Sequence, residues 1–500
     1  MLGFDWRKKS KERGASMFNS IQQFQTEGVK KLEKVFCGYA SDLTKVAEMI
    51  QGVTDSVIGL GLSMIAEEWE FYDTLLHDRK DLRPGWRVIR RDEVSKLTSL
   101  GEVTYKKTYF HNPGTGERCY LLDRLMGFSS GERLTEDAVA RIYEEAAESS
   151  YRKGGMNASI SRVPVSKETV MEKLHSLQFP ETERPEEKRQ VKTLYIDADE
   201  DHVALQYLEK RGDTKGALRH TFMPKLVYVY EGIRAEGDRH ELLGVKYFGG
   251  GYEGTQGTER LWKEVCDYIA GTYDEEVLER IYVNGDGAEW IKTGAKVHGK
   301  AKFVLDRYHM HKYILAATSH LEDSAQDARS EIWRAINGKR KKEAAEVFDR
   351  IIGVTETESR QKAVEASKNY ILGHWPAIMN GVRNRKDDIH CSAEGHISHI
   401  YADRMSSRPL GWSKTGADKM ARLRVYQKNG GDMLALVRYQ KQELPKAAGM
   451  EEVICSAEEV LRSERKNRKA QGEFSNLPVY TIPYSQIRKI AAIKNHIWGL

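Results

Sequence analysis

Cysteine is scarce in this sequence. Its five cysteines lie far apart, at Cys37, Cys119, Cys266, Cys391 and Cys455. No two of them form a Cys-x-x-Cys pair, which argues against a structural zinc module and against a disulfide framework. A reducing cytoplasm is therefore the expected location.

Long apolar runs are also missing. The most apolar stretch, VTDSVIGLGLSMIA at 53–66, contains Asp55 and is followed by Glu67 and Glu68. We expect it to be too short and too polar to span a bilayer. The first residues, MLGFDWRKKSKERG, lack the apolar core of a secretory signal. The sequence therefore predicts a soluble protein with no membrane partner.

No strong excess of one charge is present, since 79 Lys and Arg face 74 Asp and Glu. The overall balance therefore does not indicate a nucleic-acid partner. The last hundred residues differ, with 18 basic against 10 acidic side chains. Such a local excess attracts phosphate backbones, although a solvated surface explains it equally well.

The spacing of apolar residues changes along the chain and predicts a multidomain α+β protein. At 500 residues, two to four domains are expected. We predict a helical region at 1–90, a β-hairpin region at 91–130 with a turn at Asn112-Pro113-Gly114, a helix-turn-helix region at 131–180, a mixed α/β region at 188–315, an all-α insertion at 316–388, a return to the α/β core at 389–430 and a basic region at 431–500.

Two helical patterns support the helix-turn-helix prediction. The first, DAVARIYEEAAESSYRKG, follows Thr135, and the second, VPVSKETVMEKLHSL, has Ser166 as its expected N-cap. The second helix would enter the major groove of DNA, with Lys167 and Lys173 as contacts. Any helical hairpin gives the same pattern, so this alternative stays open.

Three acidic residues are candidate metal ligands. Asp197 interrupts an apolar strand, Asp286 ends another strand in VNGDG, and Glu394 lies in the helical segment HCSAEGHISHIYADRM. A buried carboxylate is costly unless it is paired or binds a metal. Carboxylates at adjacent strand ends can hold two divalent cations for phosphoryl transfer, and oxygen ligands suit Mg²⁺ or Mn²⁺. Exposed strand-end acids remain the alternative.

The first of these positions has a competitor. Asp197, Asp199 and Asp201 share one face of a strand, because side chains alternate with a period of two. Asp197 has the most apolar flank and ranks first. Asp199 is the alternate or additional ligand.

Four segments together resemble a known family: YIDADEDHVALQ, YVNGDGAEWI, FVLDRYHMHKY and HCSAEGHISHIYADRMSSRPLGWSKTGADKMARLR. The set resembles the ISLre-type transposases of bacterial insertion sequences, a group related to the Mutator-like DDE transposases. The similarity extends over nearly the whole chain, including YKKTYF, CYLLD and SYRKGG. No single piece is specific; the combination is.

The resemblance implies a ribonuclease H-like catalytic domain split by the all-α insertion. It also implies a triad of Asp197, Asp286 and Glu394, with His309 and His311 as accessory residues. A polar pair at a strand-to-helix boundary explains the two histidines comparably well. The implied partners are the transposon ends and target DNA, both double-stranded, and pairing two ends calls for a homodimer or larger oligomer. The implied location is the bacterial nucleoid.

Further DNA contacts are expected after Glu394. The candidates are Arg404, Arg408, Trp412 and Lys414, followed later by Arg465, Lys466, Arg468 and Lys469. Basic side chains there would grip phosphates, and Trp412 would stack on an unpaired base. A solvated helix face explains the charges almost as well.

The expected function is metal-dependent DNA cleavage and strand transfer at the ends of an insertion sequence. A structure-selective nuclease of the resolvase type would need the same carboxylates. A domesticated transposase would bind DNA without cutting it. A transcription regulator would leave the acidic strand positions unexplained.

Overall fold

The computed structural model describes residues 19–181, 185–206, 220–236, 239–387, 389–408 and 410–443. These residues form a mixed α+β protein, mostly helical, with several small sheets. They divide into two compact units. The first contains the described residues up to Thr135 together with Ser159–Ser161, and the second contains the rest.

The first unit consists of helices followed by a three-stranded antiparallel sheet in the order β1-β2-β3. Its elements are α1 (Asn19–Gln23), α2 (Val29–Ser41), α3 (Val46–Asp78), β1 (Arg87–Leu97), β2 (Glu102–His111), β3 (Arg118–Tyr120) and α4 (Leu121–Leu125). The segment with Asn112-Pro113-Gly114 joins β2 to β3, where a hairpin turn is predicted. The predicted hairpin has two strands, and β1 is a third that the sequence analysis did not predict. Its many charged residues conceal the alternation that is typical of a strand.

Helix α3 is longer than the apolar stretch at 53–66 suggests. With a mean hydropathy of 1.4 in its most apolar window, it alone among the described helices is long and apolar enough to cross a bilayer. Its later half packs on the sheet, where Leu76 joins Val103 and Phe110 in a core. The buried Asp73 accepts hydrogen bonds from the backbone N–H and the hydroxyl of Thr108. The polar contact fixes α3 against β2.

The second unit begins with three helices rather than two: α5 (Glu136–Glu148), α6 (Tyr151–Met156) and α7 (Lys167–His175). The Ser166 hydroxyl accepts a hydrogen bond from the N–H of Thr169, as its predicted capping role requires. The segment 157–166 that separates α6 from α7 is much longer than the three- or four-residue turn of a helix-turn-helix. The helices α6 and α7 are thus not joined by a tight turn, and a DNA-reading role for this region stays a prediction.

A five-stranded sheet forms the centre of the second unit, in the order β10-β7-β4-β11-β12. The elements of this region are β4 (Thr193–Glu200), β5 (Val203–Ala204), β6 (Thr221–Phe222), β7 (Lys225–Tyr230), β8 (Gly232–Glu236), β9 (Arg239–Leu243), β10 (Lys246–Gly250), α8 (Gly254–Thr272), β11 (Arg280–Gly285), α9 (Glu289–Val297) and β12 (Ala301–Leu305). Strands β4, β11 and β12 are mutually parallel, whereas β7 is antiparallel to both β4 and β10. The carboxyl ends of β4 and β11 therefore meet at one edge.

The two faces of this sheet differ in character. Ile196, Val229 and Val283 are buried on one face against Leu261 and Trp262 of α8. The residues that alternate with them include Tyr195, Asp197, Tyr228, Tyr230 and Tyr282. One face is thus an ordinary apolar core, and the other is a tyrosine-rich face that can donate hydrogen bonds.

Helices make up the rest of the second unit. They are α10 (Arg307–Thr318), α11 (Ala325–Asn337), α12 (Lys341–Val354), α13 (Glu358–Gly373), α14 (Trp375–Arg383), α15 (Ala393–Ile397), α16 (Asp403–Met405), α17 (Lys414–Lys428) and α18 (Met433–Glu443). The first five share one apolar core with Ile314, Ile336, Phe348 and Ile371 at its centre. This helical segment begins at Arg307, earlier than the predicted 316.

Gly294 on α9 provides a test of the packing between α8 and α9. A Cβ atom at this position would lie 2.3 Å from the Trp262 ring. We predict that Gly294→Ala lowers the free energy of unfolding by about 1–3 kcal/mol through overpacking, measured by urea denaturation. Gly353→Ala on α12, where a Cβ would meet nothing within 4 Å, is the matched control. Equal stability of the two variants would contradict this packing.

Candidate metal-binding site

Asp197 lies at the middle of the sheet and is completely buried. Both carboxylate oxygens accept hydrogen bonds, from Asn284 Nδ2 (2.7 Å), Tyr228 Oη (2.8 Å) and the Ser392 backbone N (2.9 Å), and Tyr230 Oη lies 3.3 Å from Oδ1. Burial raises the pKa of Asp197 to about 6, while these hydrogen bonds act in the opposite direction. Its oxygen lone pairs are therefore already occupied by the protein.

The same donors hold the chain that leads to Glu394. The carbonyl oxygen of His390 accepts hydrogen bonds from Tyr230 Oη (2.9 Å) and Asn284 Nδ2 (3.2 Å). The hydroxyls of Tyr228 and Ser392 are 2.7 Å apart and share a hydrogen bond. Glu394 follows Ser392 by only two residues. Asp197 and the tyrosine-rich face thus fix the segment that carries Glu394.

The beginning of this segment, at Asp387, is also held by hydrogen bonds from the tyrosine-rich face. The hydroxyl of Tyr195 donates to the carbonyl oxygen of Asp387, and Tyr282 Oη donates to the Asp387 carboxylate. Arg280 pairs with that carboxylate at 2.6 Å. Because of these contacts, the pKa of Asp387 is held below its ordinary value, with the Tyr282 hydrogen bond as the largest cause. The segment therefore crosses the sheet face from Asp387 towards Glu394.

Asp199 shares the face of Asp197 but has different surroundings. Among the described residues, the hydrogen bond that its carboxylate accepts comes from the adjacent N–H of Glu200 at 2.8 Å. The pKa of Asp199 is raised to about 7, chiefly by burial, and the negative charges of Asp286 and Glu394 contribute to the rise. His309 acts in the opposite direction. The charges of Asp286 and Glu394 therefore act on Asp199, near the carboxyl end of β4.

Asp286 follows the last residue of β11 in a rigid turn. Its Oδ1 accepts the N–H of Ala288 at 2.8 Å, and its carbonyl oxygen accepts a hydrogen bond from Tyr370 of α13. Gly287 has a φ of 96°, and a Cβ there would lie 2.5 Å from His374 Nε2. Only glycine fits this backbone comfortably. The helical segment thus supports the turn that positions Asp286.

Asp306 is a fourth acidic residue at this edge that the sequence reasoning missed. It follows β12, caps α10 through the N–H of Tyr308 (3.0 Å) and pairs with His309 Nδ1 (2.9 Å). This hydrogen bond is the main cause of the raised pKa of His309, with Asp199 and Asp286 contributing. The signal was present in the sequence, because the third parallel strand also ends on an aspartate. His311, the other predicted histidine, is exposed.

Glu394 lies in the first turn of α15 and is exposed. In the part of the chain that the structure describes, no three His, Cys, Asp or Glu side chains are already spaced as ligands of one ion. The carboxylates of Asp199, Asp286 and Glu394 would therefore have to rotate inwards around a cation. Asp201, the remaining acid of this strand face, binds the hydroxyl of Ser406 and is nearly buried.

Two of the predicted DNA contacts are part of the protein core. Arg404 is 8% exposed and donates to the carbonyl oxygen of Ala146, while its guanidinium stacks on the Trp412 ring. Trp412 is 7% exposed and donates to the carbonyl oxygen of Met405. The prediction that these side chains grip DNA is therefore corrected: they connect α5, α16 and the segment before α17.

The remaining predicted contacts differ in their surroundings. Arg408 is exposed, and Lys414 is exposed but paired with Glu253 at 2.5 Å. Lys167 is exposed beside Glu168, whereas Lys173 is half-buried. Glu253 and Glu168 reduce the attraction of Lys414 and Lys167 for phosphate. Arg465, Lys466, Arg468 and Lys469 lie outside the described residues.

The role of Asp197 as the anchor of the Glu394 segment gives a testable prediction. Asp197→Ala would leave the buried donors without an acceptor and should lower the free energy of unfolding by about 2–4 kcal/mol. Hydrogen exchange should quicken in 389–397. Asp267→Ala, at an exposed site paired with Lys263, is the control and should change neither quantity. Unchanged protection of 389–397 in Asp197→Ala would contradict the anchoring role.

The chain is similar to several proteins of Caldanaerobacter subterraneus subsp. tengcongensis. One, the UPF0236 protein TTE0610/TTE0881/TTE1053/TTE2432, is 37% identical over 410 residues, which are 82% of each chain. Another is 36% identical over 393 residues, 78% of this chain and 79% of the relative, and its name carries eleven loci of that genome.

A relative from Streptococcus gallolyticus, the UPF0236 protein in the vanSb 3′ region, is 26% identical over 366 residues. That alignment covers 69% of this chain and 75% of the relative. Multiple loci in one genome are suggestive of proteins associated with mobile elements. Residues 40–443 match the uncharacterised protein family UPF0236, to which this chain therefore belongs.

Proposed function

We propose that this chain is a DDE-type transposase that cuts DNA at the ends of a mobile element and joins them to target DNA. The observation that carries the proposal is the position of Asp199, Asp286 and Glu394 at one end of the central sheet, where the charges of Asp286 and Glu394 add to the effect of burial in raising the pKa of Asp199. Asp199 lies at the carboxyl end of β4, Asp286 directly follows the adjacent parallel strand β11, and Glu394 lies in the first turn of a helix that follows the anchored Ser392. This is an arrangement suited to metal-dependent phosphoryl transfer.

The connectivity of the second unit supports the same proposal. Strands β4, β7 and β10 are antiparallel neighbours, β11 and β12 extend the sheet in parallel, and the helical segment precedes Glu394. This order is compatible with the ribonuclease H-like domain that the resemblance to ISLre-type transposases implies. In this proposal Asp199, the alternative ligand of the sequence analysis, takes the place of Asp197, because Asp197 already accepts hydrogen bonds from Asn284, Tyr228 and Ser392.

The residues at the strand ends fit Mg²⁺ or Mn²⁺. The negative charges of Asp286 and Glu394 act on Asp199, and the charge of His309 acts in the opposite direction. Such repulsion is relieved by a bound cation, and oxygen ligands favour these two metals. When bound, a pair of such ions would activate the attacking hydroxyl and stabilise the leaving oxygen.

The chain's own groups would prepare this reaction. Asp199 and Asp286 would supply ligands from a rigid sheet edge, and Glu394 would supply a third from an anchored helix. Asp306 orients the His309 ring and favours its protonated form. A protonated imidazole beside the carboxylates would face an incoming phosphate with positive charge. Duplex DNA is the proposed substrate, and a homodimer associated with the nucleoid is the proposed working form.

The distribution of relatives in one genome adds independent support. Eleven loci share one protein name in Caldanaerobacter subterraneus. Repeated copies of one gene are expected when the gene product moves its own DNA. Neither a resolvase-type nuclease nor a DNA-binding protein without catalytic activity would explain why its gene is present in many copies.

Amide variants test the assignment of the ligands. We predict that Asp199→Asn, Asp286→Asn and Glu394→Gln each lose about 1,000-fold or more of Mg²⁺-dependent cleavage, because a metal ligand contributes several kcal/mol at the transition state. Asp197→Asn, which keeps the shape of the buried anchor, should lose only about 10–100-fold, as supporting residues of metal sites do. The cleavage rate of each variant is measured under single-turnover conditions with a labelled duplex.

An equal loss from Asp197→Asn and Asp199→Asn would contradict this assignment of roles. Retention of full cleavage by Asp286→Asn would contradict the proposed chemistry altogether. The substrate separates the transposase from a structure-selective nuclease. The transposase should prefer imperfect inverted repeats that flank its own gene, whereas the nuclease would prefer branched DNA of any sequence.

A further inference from the structure

A cluster of exposed cations lies on the turn between α11 and α12. Residues 338–340 form this turn and Lys341 and Lys342 begin α12, and the side chains of Lys339, Arg340, Lys341 and Lys342 are all exposed. Arg340 pairs with Glu343 at 2.7 Å. Among the described residues, the three lysines have no ion-pair partner, so their charge is free to act on a ligand.

The cluster continues onto the segment that follows α14. Arg385 donates a hydrogen bond to the side-chain oxygen of Asn337, the last residue of α11. Arg383 and Lys386 are exposed beside it. The nearby acid, Asp387, is already occupied by Arg280 and Tyr282. The turn and this segment therefore form one surface, here called the basic turn surface, whose positive charge is largely uncompensated.

The distance between the basic turn surface and the candidate site can be judged from two residues of β4. Asp387 is bound by Tyr195, four residues before Asp199 on β4. At about 3.3 Å per residue, the two points are separated by roughly 13 Å along the strand. The segment 389–394 spans this interval on the same face of the sheet. The basic turn surface thus adjoins the path that leads to the carboxylates.

We propose that the basic turn surface binds the phosphate backbone of duplex DNA next to the bond that is cut. This inference rests on the proposed function, and it supplies a DNA contact in place of Arg404 and Trp412. Lysines bind phosphates as point charges and carry no sequence information. Residues 338–342 and 383–387 include no aromatic side chain. Stacking on unpaired bases is therefore absent there, which favours a duplex over single strands.

The test uses the full chain with Lys339, Lys341 and Lys342 all changed to Gln. Each phosphate contact contributes about 0.9 to the slope of log K against log salt. The triple variant should therefore show a slope smaller by roughly two to three and bind duplex at least tenfold more weakly at about 0.15 M salt. Fluorescence anisotropy with a labelled duplex of unrelated sequence gives both values. Circular dichroism checks that the variant is folded.

The matched control changes three exposed lysines of α2, Lys30, Lys31 and Lys34, to Gln. The wild-type slope is expected for this control. An equal loss in both variants would show that only total charge matters and would overturn the inference. Stronger binding of the wild-type chain to single strands, or to anionic phospholipid vesicles, would overturn it as well.

Failure of the inference and failure of the proposed function give different results. If the wild-type chain cleaves duplex with Mg²⁺ and the triple variant binds and cleaves equally well, the basic turn surface is not the DNA contact and the proposed function stands. If the wild-type chain neither binds nor cleaves duplex, both are wrong. Weaker binding by the variant, with Mg²⁺-dependent cleavage retained at saturating DNA, supports the inference.

Discussion

The hydrogen bonds of Asp197 are the contact on which the candidate site depends. A single buried carboxylate receives a backbone N–H from Ser392 and side-chain donors from two strands, β7 and β11. Since the chain returns to the sheet here after a long helical segment, this contact decides where Glu394 lies. A buried carboxylate is expensive, but each of its donors would also be costly to bury alone. The network therefore selects one position for the returning chain.

Two aspartates two residues apart have separate tasks. The strand period places Asp197 and Asp199 on one face, yet the returning segment covers only the first. Asp199 remains at the edge, where burial raises its pKa and the negative charges of Asp286 and Glu394 add to that rise. The anchor is thus satisfied by protein donors, whereas the edge group lacks such donors and is suited to a cation.

Much of this arrangement could be predicted from the sequence. The strand ending at Asp286, the cap at Ser166 and the helical character of the segment before Glu394 follow from local patterns. The choice between Asp197 and Asp199 could not, because it depends on which carboxylate the distant Ser392 contacts. The apolar residues before Asp197 indicate that its side chain is buried. A buried carboxylate can, however, hold a neighbouring segment by hydrogen bonds as readily as it can bind a metal.

Other errors have the same origin. Arg404 and Trp412 follow Glu394 closely and carry the residue types of a DNA contact, but the packing of α5 against this region buries them. In each case the burial of a side chain is decided by elements remote in sequence.

The most direct test of the proposed division of roles is anomalous diffraction from crystals of the full chain soaked in Mn²⁺. The proposal predicts manganese peaks between the carboxylates of Asp199, Asp286 and Glu394, with Asp197 still hydrogen-bonded to Ser392. A manganese ion bound by Asp197, with the Ser392 contact broken and Asp199 uninvolved, would contradict it.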